Sequence, residues 1–143
     1  MKNKSKYIII VGCGALGSSI AGILSASGAN VVVVDKDREA FKKLPPEFSG
    51  FTVVAEVIGK NALIDSKIDQ ADILIATTDD DNTNIMIAQI AKKIYHVSKV
   101  VARVFEPSRM RVYCDLEIET ISPTILAASA LSENILDEGE KRN

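Results

Sequence analysis

Histidine occurs once in the sequence, as His96, and cysteine twice, as Cys13 and Cys114. Two cysteines so far apart make neither a metal-ligand spacing nor a disulfide framework, and they fit a reducing, cytosolic compartment. Charge of one sign is not in excess either. The 17 Lys and Arg residues against 19 Asp and Glu leave a net charge of −2, which lacks the electropositive footprint of a nucleic-acid binder. Long apolar runs are also missing. Ile8 to Val11, after the basic start MKNKSK, is too short for the hydrophobic region of a signal peptide or for a membrane span, so any membrane connection has to come through a partner. The basic start itself reads as a solvated, frayed terminus. At 143 residues the chain fits one compact unit and leaves no room for a second lobe.

What the sequence does contain is a series of Val- and Ile-rich runs of strand length: 7–11, 30–35, 51–55, 72–77, 99–104 and 117–121. Most are continuously apolar, the pattern of strands buried on both faces of a parallel sheet. Helical segments alternate with them at 15–27, 36–44, 60–67, 82–95, 107–114 and 123–136. The alternation predicts an α/β fold, a Rossmann-like doubly wound parallel sheet of six strands flanked by helices. Gly28 is placed to end the first helix, Pro45 and Pro46 halt the second, and EPSRM and SPTIL each put a proline in a first helical turn. Residues 1–136 read as the domain, and the polar stretch 137–143 reads as a tail or linker stub.

The first strand runs into GCGALG, and the next strand ends in Asp35. Strand, glycine pattern, helix and acidic residue in this order form a dinucleotide-binding fingerprint. Gly12 takes the tight turn, Gly14 lets backbone approach a pyrophosphate, and Gly17 lets the helix lie close on the strand. The helix N-terminus offers free N–H groups and a positive dipole end to phosphate oxygens. Asp35 is placed to accept hydrogen bonds from ribose hydroxyls and to repel a 2′-phosphate, which disfavours NADP. Cys13, inside the loop, reads as a small buried side chain rather than a redox group.

A hydride-transfer enzyme needs further residues that hold a substrate and move a proton. His96 falls at the end of a helix on the side away from the ligand-binding edge of the sheet, so no base is in place and no catalytic residue is assigned. ATTDDDNTN, residues 76–84, follows the fourth strand at its carboxyl end. It reads as an N-cap run, and also as a segment through which Thr77 and Thr78 close over the far side of a bound nucleotide; the two readings are compatible.

GCGALGSSIA, VVVVDKD, ADILIATTDDDNTN, VVARVFEPSR and LEIETISPT together resemble the N-terminal nucleotide-binding domain of the Trk/Ktr potassium-uptake regulatory proteins, the RCK N-terminal or TrkA-N domain. The similarity runs from about Lys6 to Ile135. It implies a cytoplasmic regulatory subunit, peripheral to the inner membrane through its partner, a potassium channel or transporter that it gates when an adenine nucleotide (AMP, ADP or ATP) or NAD(H) binds. By position, Gly12, Gly14, Ala15, Leu16 and Gly17 match the family's phosphate loop, and Asp35 with Lys36 its ribose site. Glu56 stands where the family's acidic residue defines the adenine pocket. Arg103 matches the arginine of the ARV strand, with a structural ion pair as its other reading. Thr124 replaces a glutamate that ATP-responsive members use near phosphates and metal, so no metal site is expected. The resemblance also implies a smaller C-terminal lobe beyond the matched stretch.

The helices at 82–95 and 123–136 are apolar on more than one face, and one sheet face covers only one. A homodimer or higher ring that buries them is expected, against a monomer with scattered apolar surface. The alternative functions are a small NAD(H)-dependent oxidoreductase subunit and an interaction module that binds nothing.

Overall fold

The computed structural model describes residues 5–141. The basic start over residues 1–4 and the last two residues of the expected tail lie outside them. Six strands, β1 (Tyr7–Val11), β2 (Asn30–Asp35), β3 (Phe51–Val54), β4 (Ile73–Ala76), β5 (Lys99–Arg103) and β6 (Glu119–Ile121), form one sheet. All pairings are parallel and the order is β3-β2-β1-β4-β5-β6, so the chain reverses its direction of winding between β1 and β4. This is the doubly wound order, and ligands of such sheets sit at the carboxyl ends of the strands beside that reversal.

Alternate residues of the central strands feed two cores. Ile8, Ile10, Val31 and Val33 face α1 (Ala15–Ala26), meeting its Ala21. Ile9, Val11, Val32, Val34 and Leu74 face the other side, where Ile87 and Ala88 of α3 (Asp81–Gln89) pack with Ala91. Period-two alternation of apolar residues on both faces is why these strands read as continuous Val and Ile runs. Two shorter helices complete the layers, α2 (Lys60–Asp65) and α4 (Met110–Cys114), and α5 (Pro123–Lys141) follows β6.

Three segments differ from the sequence reading. Residues 36–44 do not form an α-helix but a 3-10 turn over Arg38–Lys43, capped by the Asp37 side chain. Pro45 and Pro46 follow at once, and a proline cannot donate the backbone hydrogen bond that would extend the turn into a longer helix. At the end of α3, Ile90–Ile94 widens into a π turn. The stretch 137–141 continues α5 instead of forming a polar tail, because its Glu and Lys residues are good helix formers.

Helix ends follow local chemistry. Gly28, at φ +95°, closes α1 with the Ala29 N–H donating to the Leu24 carbonyl. Ser122 starts α5, accepting from the Ile125 N–H at 3.2 Å with Pro123 in the first position. Met86 and Ile94, and Ile125, Leu126, Leu131, Ile135 and Leu136 of α5, are exposed. No helix among the described residues is long and apolar enough to cross a membrane.

Candidate functional site

β1 passes into α1 through a corner made almost wholly of backbone. Gly12 has φ +103°, and a Cβ there would also lie 2.8 Å from the Thr77 carbonyl group and the Thr78 nitrogen. A Cβ on Gly17 would run into the Gly12 carbonyl oxygen. These two glycines bring α1, the turn and the end of β4 into backbone contact. Gly14 differs, since a Cβ there would meet nothing within 4 Å. It is the N-cap of α1 and supplies no side-chain acceptor, and the first turn of the helix holds no acidic residue. The N–H groups of that turn therefore lack an acceptor from a capping side chain, at the positive end of the helix dipole.

Beside this corner lies a cleft of about 580 Å³. Gly12, Cys13 and Gly14 line it from the β1 end, Asp35, Lys36 and Asp37 from the β2 end, Glu56, Val57 and Ile58 from the β3 end, and Thr77 to Asp80 from the β4 end. Ala40, Lys43, Thr83 and Arg103 complete the wall. Of the residues singled out in the sequence, Gly12, Gly14, Asp35, Lys36, Glu56, Thr77, Thr78 and Arg103 come together here. Ala15, Leu16 and Gly17 do not line the cleft. Ala15 is exposed and Leu16 half-buried in the first turn of α1, and Gly17 is buried against the Gly12 carbonyl.

Asp35 is tied to the glycine corner. Its Oδ2 accepts from the Cys13 N–H at 2.8 Å and its Oδ1 from the Asp37 N–H at 2.9 Å. A carboxylate offers about four lone-pair directions, so acceptor capacity toward ribose hydroxyls remains. The Cys13 side chain is buried among the core residues of the α1 face. Burial pushes its thiol up, the Asp35 charge adds to the effect, and Lys43 opposes it. A thiol held protonated is a poor nucleophile, in keeping with a packing role.

The two threonines reach the cleft with their donors already engaged. Thr77 Oγ1 points at the carbonyl oxygens of Gly12, at 2.9 Å, and Val11, at 3.2 Å. The N–H and Oγ1 of Thr78 both donate to Asn84 Oδ1, at 2.8 and 2.6 Å. Held in this way, they form the wall of the cleft on the β4 side.

Asn84, which the sequence reading passed over, organises this wall. It is 0% exposed, and its Nδ2 donates to the carbonyl oxygens of Thr78 and Arg103, each at 3.1 Å. Its one signal in the sequence is an asparagine inside a helix, where that side chain is a poor former unless it has partners. Asp81 also went unread. It is buried and accepts from the N–H groups of Phe105, at 2.8 Å, and Glu106, at 3.1 Å, which fixes the loop after β5.

Arg103 makes no ion pair among the described residues. Its Nη2 donates to the Thr78 carbonyl, its guanidinium stacks 4.3 Å from the Phe105 ring centre, and its Nε is buried without a partner. Burial pulls its pKa down, while the charges of Asp79 and Asp81 push it back up. His96 is exposed and lies away from the cleft.

Comparison with known proteins matches the TrkA-N domain family over residues 8–123. The Trk system potassium uptake protein TrkA of Streptomyces coelicolor is 32% identical over 133 residues, covering 93% of this chain and 60% of that protein. Among solved structures, the GsuK channel bound to NAD superposes with a TM-score of 0.81 at 22% identity, covering 98% of this chain and 25% of that one. The Shewanella denitrificans Kef C-terminal domain in an AMP-bound form gives 0.78 at 22% identity, covering 92% and 80%.

Proposed function

Because the chain belongs to the TrkA-N domain family, we propose that it is the nucleotide-sensing part of a potassium-uptake regulator. In this reading an adenine nucleotide or NAD(H) enters the cleft, and its arrival changes how neighbouring subunits sit against a membrane potassium channel or transporter. The observation that carries the reading is the open corner at Gly14. There an α-helix presents an uncapped N-terminus to a cleft with Asp35 on its rim. Phosphate oxygens take the free N–H groups, and the Asp35 carboxylate takes the ribose hydroxyls. Val57 and Ile58 give the far end an apolar wall suited to a base. Relatives named for potassium uptake and a channel of the same fold bound to NAD support the choice of ligand and partner.

The chain acts in this reading as a cytoplasmic component joined to the membrane through its partner, and as a homodimer or ring. No covalent chemistry is required. A coupling of about 1–3 kcal/mol between occupancy and transporter state is typical of allosteric control. The test is a thermal-shift and calorimetry panel of AMP, ADP, ATP, NAD, NADH and NADP. Members of the panel that select the folded state raise its melting temperature with occupancy. NAD is expected to bind better than NADP, and Asp35→Ala to erase that preference. A panel in which nothing shifts the transition would refute the site.

A further inference from the structure

We propose that residues 37–50, the strap that joins β2 to β3 without an α-helix, set the β2-side wall of the cleft through their anchorage on α1, with Gly22 and Ser25 as positioning residues for nucleotide binding. The proposal rests on the reading of the cleft as a nucleotide site. The strap is tied at both ends. At its start the Asp37 N–H donates to Asp35 Oδ1 at 2.9 Å, and the Asp37 side chain accepts from the Glu39 N–H at 3.0 Å to begin the 3-10 turn. At its far end the Ser49 N–H donates to Ser25 Oγ at 2.9 Å, and the two hydroxyl oxygens lie 3.1 Å apart. Between these ties Pro45 sits so close on Gly22 that a Cβ on the glycine would run into Pro45 Cγ. Gly22 and Ser25 are both buried residues of α1.

The same segment builds one side of the cleft. Asp37, Ala40 and Lys43 line it, and Lys43 comes two residues before the Pro45 contact. The Lys43 charge reaches the Cys13 thiol, so it bears on the space beside the glycine corner. Phe41, Leu44 and Phe48 pack half-buried against the core on the α1 face, and Ala40 is buried in it. A segment with one short 3-10 turn has few backbone hydrogen bonds of its own, so its place is set by what it packs against. Here α1 is the fixed partner, because Gly17 lies against the Gly12 carbonyl and Ala21 is buried in the core. A methyl group added at Gly22 therefore pushes on the Pro45 ring, and the push passes back along the strap to Lys43 and Ala40. Where the strap leaves its place for part of the time, apparent affinity falls with the fraction of molecules that keep it.

The experiment is calorimetry of NADH on the whole chain and its variants, well below their melting temperatures. Gly22→Ala is expected to weaken NADH roughly tenfold. In a background where Pro45→Ala has removed the ring, the same change is expected to weaken it by less than about threefold. Only Pro45 Cβ then remains beside the added methyl group, at 3.6 Å, an ordinary contact. A change that harmed packing alone would lower the melting temperature and leave the affinity of the folded molecules as it was. Ser25→Ala, which unties Ser49, is expected to weaken NADH several-fold and stands in for Gly22→Ala if that variant does not fold. Hydrogen exchange on the wild type gives a second readout, in which NADH is expected to slow the amides of residues 38–49. NADH affinity untouched by Gly22→Ala and Ser25→Ala, a loss that Pro45→Ala does not relieve, or strap amides indifferent to NADH would overturn the proposal. A wild type that binds none of NADH, AMP and ATP would instead refute the nucleotide site, and the proposal with it.

Discussion

The three glycines of the corner have separate physical tasks. Gly12 is required by its positive φ and by the Thr77 backbone behind it, Gly17 by the carbonyl oxygen it lies against, and Gly14 by nothing within the protein itself. A paired substitution separates packing from binding. Gly17→Ala is expected to destabilise the fold by about 1–3 kcal/mol, because the helix must move off the strand to admit a methyl group. Gly14→Ala is expected to leave stability close to that of the wild type, since the added methyl group meets open space, while lowering NADH affinity. Denaturant melts with calorimetry on both variants check this. Equal losses of stability would mean that Gly14 also serves packing.

At the scale of elements, the start of α3 does most to shape the far wall. Asp80 caps it, Asp81 holds the loop after β5, and Asn84 joins the ends of β4 and β5. Asp80 also gives this element a pH signature. Its carboxyl titrates lower in the folded chain than in the unfolded one, because Thr83 hydrogen-bonds the charged form. The stabilisation is present above the unfolded carboxyl pKa, near 4, and is lost as pH falls through the lower folded value. Asp80→Asn is expected to keep a capped helix yet remove this contribution. Its melting temperature should then fall less than that of the wild type on acidification below about pH 4. Superimposable acid profiles of the two proteins would show that Asp80 does not supply it.

For the whole molecule, the unresolved demand is apolar surface. Leu126, Leu131, Ile135 and Leu136 of α5 are each more than half exposed, and Ile94 at the end of α3 is 63% exposed. Apolar side chains left uncovered on a helix call for a partner that buries them, and in the proposed function that partner is a second copy of the chain. Sedimentation of the wild type is expected to give a dimer or larger ring, and the double variant Leu131→Glu, Ile135→Glu a monomer with an unchanged circular dichroism spectrum. A wild type that sediments as a monomer at high concentration would remove self-association from the proposed function.

Local patterning was enough to determine the six strands, the order of strand and helix, and the glycine corner with Asp35 on the rim. Each of these rests on short-range chemistry: apolar runs, proline and glycine at breaks, a carboxylate at a strand end. The 3-10 turn within 36–44 and the continuation of α5 through residue 141 were not legible, because a six-residue turn and a helix that outlasts its apolar face carry weak periodic signals. Only the tertiary structure decided which donors remain free. Thr77, Thr78 and Arg103 look like ligand-binding groups in the sequence. Folding aims both hydroxyls and one guanidinium amine at partners brought in from other elements, Val11, Gly12, Asn84 and the Thr78 carbonyl. A hydrogen-bond donor is committed by whatever lies within about 3 Å of it, and sequence spacing does not specify that neighbour when it comes from another strand.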